Sequence, residues 1–274
     1  MILRHAVYID GIAFWSPPWP GWAAAAAAMR GECGAAASGN GRPFTTLLNA
    51  NERRRAPGSV LLALAVAEQA VADSGHDARH LASIFTSAYG DLPLFDALCR
   101  TLATNPLQLS PTRFHHSVHN AASGYWAIAS GSRAASSALA AGERSFAAGL
   151  LEAASTCVAD RGAVLLVGFD TEAQGPLASV NPSRGLLGVA LVLAPEAGPR
   201  SRWRLGFDCV AAEQPASHSS SATAQALALN AQADALPLFE ALAHDRPATL
   251  NLPVAEQLHL KLQLHTLPGP APEA

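Results

Sequence analysis

Ala163-Val164-Leu165-Leu166-Val167-Gly168-Phe169 and Leu186-Leu187-Gly188-Val189-Ala190-Leu191-Val192-Leu193 are apolar from end to end. A half-exposed strand would alternate apolar with polar residues. Continuous runs of this length read as strands covered on both faces, the habit of parallel strands. Such strands demand helical layers above and below, and the neighbouring sequence supplies them. Ser145 to Val158 places Phe146, Gly149, Leu150, Ala153 and Ala154 on one helical face. Gly58 to Ser74 repeats apolar residues at helical spacing and has little polar face in its first half. Gly75 follows as a C′ residue. Further strands are expected at Ala6–Trp15, Leu81–Tyr89 and Ser136–Ala141, the last made of small residues. Further helices are expected at Trp22–Met29, Pro93–Ala103 and over residues 119–131. Strands alternating with helices give a layered α/β domain over residues 1–199. Residues 200–274 read as a C-terminal extension. It holds a strand at Arg202–Val210, a serine-rich loop, a short helix at Leu236–Ala243, an edge strand at Leu258–Leu264 and a frayed tail from Pro268.

The 274 residues are 50% hydrophobic and 14% charged, enough apolar material for a sizeable core and too little charge for a disordered scaffold. The formal net charge is −3, and no basic block exceeds Arg53-Arg54-Arg55, so a nucleic-acid partner is not expected. The apolar runs, Trp22 to Met29 among them, fall far short of the roughly 20 residues of a membrane span. No signal peptide is read at the start. Cys33, Cys99, Cys157 and Cys209 are scattered without metal-ligand spacing, as small core residues in a reducing compartment would be. The expected location is cytoplasmic.

The motifs of P-loop, dinucleotide-binding, nucleophile-elbow hydrolase and zincin chemistry are all missing. Phe114-His115-His116-Ser117-Val118-His119 is the one cluster of metal-ligating side chains. On a strand His115 and His119 would share one side and His116 the other, and no Cys, Asp or Glu adjoins to complete a shell. Metal binding is the weaker alternative there to a structural or interface role. Ser123 has no assignable base. By residue chemistry alone the chain is an α/β domain.

The order of segments nevertheless resembles the N-terminal half of β-ketoacyl synthases, the condensing enzymes of the thiolase fold. Val7 to Pro17 looks like their opening strand, Leu62 to Gly75 like their first long helix and Ser83 to Asp91 like the strand after it. Asn120-Ala121-Ala122-Ser123-Gly124 resembles the N-x-A-A-G helix start, Val164 to Gly168 the V-M-V-A-G strand and Leu187 to Leu193 the G-x-G-V-L-V-L strand. Arg53-Arg54-Arg55-Ala56-Pro57, Ser110 to Trp126 and Ser145 to Ala153 are similar to the truncated chain length factor branch, whose members accompany aryl polyene or xanthomonadin-type pigment synthesis.

In that register the nucleophile turn T-A-C-x-x-G falls on Ala141-Gly142-Glu143-Arg144-Ser145-Phe146, with Glu143 at the cysteine position. A carboxylate is welcome at a helix N-terminus but forms no persistent thioester. The histidine motif of the family's second half has no counterpart here. The resemblance therefore implies a subunit without condensing activity of its own, paired as a heterodimer with an active β-ketoacyl-ACP synthase on chains carried by acyl carrier protein. It implies no cofactor. Implied channel or interface residues are Ala141, Gly142, Glu143, Phe146 and Asn120. The strand implied to meet the partner is Ser136, Ser137, Ala138, Leu139 and Ala140. Two other classes stay open: a malonyl-carrier decarboxylase using Glu143 as base, and a free-standing acyl or carrier-protein binding module.

Overall fold

The computed structural model describes Leu3, His5–Gly34 and Gly41–Leu267. The tail expected from Pro268 lies outside the described residues. The chain runs β1 (His5–Trp15), α1 (Trp22–Met29), α2 (Ala50–Arg55), α3 (Gly58–Ser74), β2 (Ala82–Thr86), α4 (Leu92–Thr104), α5 (Pro111–His116), α6 (Ala121–Ser130) and β3 (Ser136–Leu139). It continues through α7 (Ser145–Asp160), β4 (Val164–Asp170), α8 (Leu177–Val180), β5 (Leu187–Ala194), β6 (Trp203–Ala211), α9 (Ala222–Leu227), α10 (Leu236–Ala243), β7 (Ala248–Ala255) and β8 (Leu258–Thr266). The strands form one sheet in the order β3-β2-β4-β5-β1-β6-β8-β7.

The centre of that sheet is built as its composition demands. Every residue of β4 and β5 is buried. Their side chains alternate between two cores, as the two-residue period of a strand requires. Leu165, Val167, Ala190 and Val192 meet α3 and α6 on one face. Leu166, Val189, Leu191 and Leu193 meet α7 and α10 on the other. The direction of β5 differs from expectation: it runs antiparallel to both β4 and β1. Continuous apolarity reports cover on both faces and carries no information about direction.

The segment after residue 199 extends the sheet beyond β1. β6 pairs antiparallel with β1 and β8 with β6. The strand expected at the edge, Leu258–Leu264, is β8 and lies between β6 and β7, with Leu260, Leu262 and Leu264 buried. The true edge is β7, which holds Pro253 where no ladder donor is needed. This edge is also tied down, because Ser217 N donates to Asn251 O at 2.9 Å and Asn251 N donates to Ser217 Oγ at 2.9 Å. α10 completes the second layer: the Phe239 ring lies 6.1 Å from that of Phe14 and 6.0 Å from that of Phe146.

Close approach of α3 to the sheet depends on glycine. A Cβ at Gly11 would stand 2.1 Å from the Ala70 carbonyl oxygen, and one at Gly188 2.8 Å from Leu62 Cδ1. The first clash is with backbone and has no rotamer escape. Gly11→Ala is expected to cost roughly 2–4 kcal/mol, read as a fall in the denaturant midpoint with the slope unchanged. A change below about 0.5 kcal/mol would show that α3 does not sit this close.

Candidate functional site

Beyond Leu139 the chain leaves the sheet at its open edge, turns, and enters α7. The turn is tied by Ser145, whose hydroxyl donates to Gly142 O at 2.6 Å and accepts from Ala141 N at 2.9 Å. Thr86 Oγ1 fixes it from the neighbouring strand by donating to Ser145 O at 2.7 Å. Gly142 sits in the left-handed region at φ 58°, which a β-carbon disfavours. The result is a strand–elbow–helix with Glu143 at its tip.

Four groups that sequence reasoning missed surround this elbow. Asp170, at the end of β4, is wholly buried and accepts from Ser87 Oγ at 2.8 Å, Ala88 N at 2.9 Å and Tyr89 N at 3.2 Å. Burial pushes its carboxyl up to about 6 against those three donors. Asp234 reaches the first turn of α7 and accepts from Ala147 N at 3.1 Å. Burial pushes its carboxyl up to about 7; the Ala147 and Phe146 N–H groups oppose the shift and the Asp170 charge adds to it. Gln232 is fully buried beside Gly168, and neither atom of its amide has a protein partner among the described residues. Tyr89 has its phenol raised by burial and then by the Glu143 and Asp170 charges, which puts Glu143 within electrostatic reach of this group. A depression of about 390 Å³ opens beside the elbow, lined by Glu143, Arg144, Ser217, His218 and Asp234. These acids were invisible in sequence because Asp170 ends an apolar strand and Asp234 lies about 90 residues from the helix it caps.

The expected site residues separate into distinct places. Glu143 and Ala141 are exposed, and Gly142 is half-buried. Phe146 does not line an open channel: it is fully buried and packs on Phe239. Asn120 is exposed before α6 and lines a different cavity, of about 630 Å³, with Leu47, His115, Tyr125 and Ile128. β3 ends at Leu139, so Ala140 and Ala141 already belong to the turn. Ser136, Ser137, Ala138 and Ala140 are exposed. The histidines lie in and just after α5, a helix, and diverge. His116 Nε2 and the Tyr125 hydroxyl share a 2.9 Å hydrogen bond, while His119 Nε2 donates to Ser87 O at 3.0 Å. Among the described residues no three His, Cys, Asp or Glu side chains converge as a metal shell. Cys157 offers no substitute nucleophile, since burial pushes its thiol up to about 12.

A mixed sheet with this strand–elbow–helix unit at its rim defines the half-domain architecture of thiolase-like condensing enzymes. The chain belongs to the β-ketoacyl synthase N-terminal domain family, whose profile spans residues 19–256. Among solved structures it is similar to a chain of the ketosynthase ApeO in complex with its chain length factor ApeC from Xenorhabdus doucetiae. The TM-score is 0.72 at 20% identity, covering 95% of this chain and 100% of that one. It is also similar to a chain of AntDE:AntF, a type II acyl carrier protein in complex with its ketosynthase, at TM-score 0.73 and 12% identity over 96% and 100% of the chains. The ishigamide ketosynthase/chain length factor gives 0.70 and 15% over 96% and 100%. No curated protein matches the chain in sequence.

The buried Asp234 carboxyl makes stability depend on pH. In the unfolded chain it ionises near 4, in the fold near 7, so stability falls as pH rises from about 4 to about 7. Asp234→Asn keeps an acceptor for Ala147 N and removes the charge. It is expected to be about 1–3 kcal/mol more stable than the parent at pH 8, with the difference shrinking below about pH 5, in urea titrations at both pH values. A variant destabilised equally at both would contradict this.

Proposed function

We propose that this chain is a chain length factor: a partner without a condensing nucleophile that pairs with a β-ketoacyl-ACP synthase and bounds the channel for chains delivered by acyl carrier protein. The observation that carries the reading is an elbow kept in shape while its tip is Glu143, beside a sheet edge left open. A carboxylate at that tip cannot hold an acyl chain as a thioester. The pathway class is the aryl polyene or xanthomonadin-like one that the sequence resemblance implies.

The two sheet edges are treated differently. β7 is blunted by Pro253 and by Ser217, whereas β3 pairs only with β2 and presents small side chains outward. An unguarded edge is a template for another strand. Apolar side chains are also exposed on α6, which packs beside β3, where Ile128 is 85% exposed, and on the segments from α4 to α6, where Leu107 is 97% exposed and Phe95, Leu102, Phe114 and Val118 are exposed. α4 buries only Leu92, Asp96 and Leu98. Uncovered apolar surface of this extent marks a protein contact. The decarboxylase reading is not favoured, because a general base needs a dry cleft and Glu143 is exposed.

Co-expression with the β-ketoacyl-ACP synthase of the same gene neighbourhood tests the pairing. The expected result is a stable heterodimer on size exclusion. Ala138→Arg on β3 reduces it at least tenfold, and Thr249→Arg on β7 leaves it intact. Equal tolerance of both substitutions, or a monomer that ignores the ketosynthase, would overturn the proposal.

A further inference from the structure

Half of the buried polar side-chain atoms without a hydrogen-bond partner among the described residues belong to Ser219, Gln232 and Asp234. A buried donor or acceptor left unmet destabilises a fold, so three such residues in one short stretch point to a bound group. Ser219 and Asp234 line the same depression of about 390 Å³ beside the elbow, a volume within the range of small-ligand pockets.

Both side chains are held in place by their surroundings. Ser219 lies between β6 and α9, on a segment pinned to β7 by the paired hydrogen bonds of Ser217 and Asn251. Just beyond it the Ser220 hydroxyl donates to Glu240 Oε1 at 3.0 Å and the Ser221 hydroxyl to Oε2 at 3.0 Å. Asp234 accepts from Ala147 N at 3.1 Å through Oδ2, and its Oδ1 has no partner among the described residues.

The lining divides by chemistry. Ser219, Asp234 and Arg144 bring polar groups, while Ala224, Leu236 and Leu252 bring buried apolar ones. Below about pH 7 burial keeps the Asp234 carboxyl protonated, so it presents an O–H donor, as Ser219 does. Two hydroxyl donors and a guanidinium together with an apolar wall suit an anionic acceptor carried on a short alkyl chain. An ammonium group would instead face the Arg144 charge and a carboxyl that burial keeps neutral.

We propose that this depression binds a short-chain monocarboxylic acid. Its carboxylate accepts from the Ser219 hydroxyl, the Asp234 carboxyl and the Arg144 guanidinium, and its alkyl chain lies on Ala224, Leu236 and Leu252. The proposal does not rest on the pairing through β3. The titratable and charged groups around Asp234 are Asp170 on β4, Glu143 and Arg144 at the elbow, His218 beside Ser219 and Glu240 on α10. Once ionised, Asp234 loses its donor and repels the ligand, so binding weakens as pH rises through about 7.

The test titrates the full chain with butyrate, labelled with carbon-13 at its carboxyl, by NMR. Butyramide and butylamine serve as comparisons. At about pH 6 the expected result is saturable binding of butyrate, with the amide and the amine at least tenfold weaker. Arg144→Gln and Ser219→Ala each weaken it by about tenfold, and Leu252→Trp, which fills the depression, abolishes it. Ser179→Ala, at an exposed serine elsewhere, leaves it unchanged. Raising the pH to about 8.5 weakens binding to the parent at least tenfold, whereas Asp234→Asn, which keeps a donor and cannot ionise, binds within about twofold at both. Circular dichroism confirms that each variant folds. The proposal is overturned by the absence of saturable butyrate binding, by equal binding of the three probes, by a loss in Ser179→Ala as large as in Ser219→Ala, or by a pH response that Asp234→Asn retains.

Discussion

The constraint on which everything else hangs is the complete burial of β4 and β5. Fifteen positions on these two paired strands, with no exposed face, need cover on both sides, and each fully buried Leu or Val contributes about 1.5–3 kcal/mol only while that cover is present. α3 supplies one side at a distance set by Gly11 and Gly188. α7 and α10 supply the other through Phe146, Phe239 and Phe14. α7 therefore cannot move without opening the second core, and the elbow that precedes it is fixed as a consequence. The geometry of the candidate site is inherited from packing, and it persists whatever residue stands at its tip.

This explains how the elbow keeps its form with Glu143 at its tip. The turn is held by Ser145, Thr86 and Gly142, none of which depends on the tip side chain. The polar groups beneath it follow a different logic. Asp170 organises the β2–α4 connection through three donors, and Asp234 ties the strand-rich C-terminal segment to the first turn of α7. Burial raises the proton affinity of both carboxyls, and the Asp170 charge raises that of Asp234 further. The fold tolerates them because each accepts backbone N–H groups that would otherwise lack partners.

Much of the architecture was legible in sequence, for reasons that differ by element. Trp22–Met29, Gly58–Ser74 and Leu236–Ala243 were readable because alanine and leucine density and a terminal glycine act locally. β4 and β5 were readable as doubly covered strands, yet the antiparallel run of β5 was not, because direction is set by where the chain must return and not by side-chain polarity. β8 was read as an edge from its alternation of His, Lys and Gln with leucine. In fact β7 covers it; opposite the leucines, His259 is buried, Lys261 and Gln263 are half-buried and His265 is exposed. α5 was missed because a run of histidines carries no periodicity. Glu143 and Asn120, both implied by the family resemblance as channel or interface residues, line separate depressions. Phe146 belongs to the core because α7 turns its first apolar residue inward.

The asymmetry of the sheet's two ends points to how such a chain divides its surface. At the β7 end Pro253 and Ser217 close the ladder, so the three strands added after residue 199 finish the sheet. At the β3 end, among the described residues, the ladder stops on Ser136–Leu139, and the small side chains of Ser136, Ser137 and Ala138 impose no steric limit on an approaching backbone. Guarding one edge while leaving the other bare is not what solubility alone would select, since an open edge invites indiscriminate pairing. Specificity must then come from the surfaces that accompany the edge. The bulky apolar side chains of α4, α5 and α6 are suited to that role, because they bury favourably only against a partner whose contours match. In the proposed pairing the edge provides register and the helices provide discrimination.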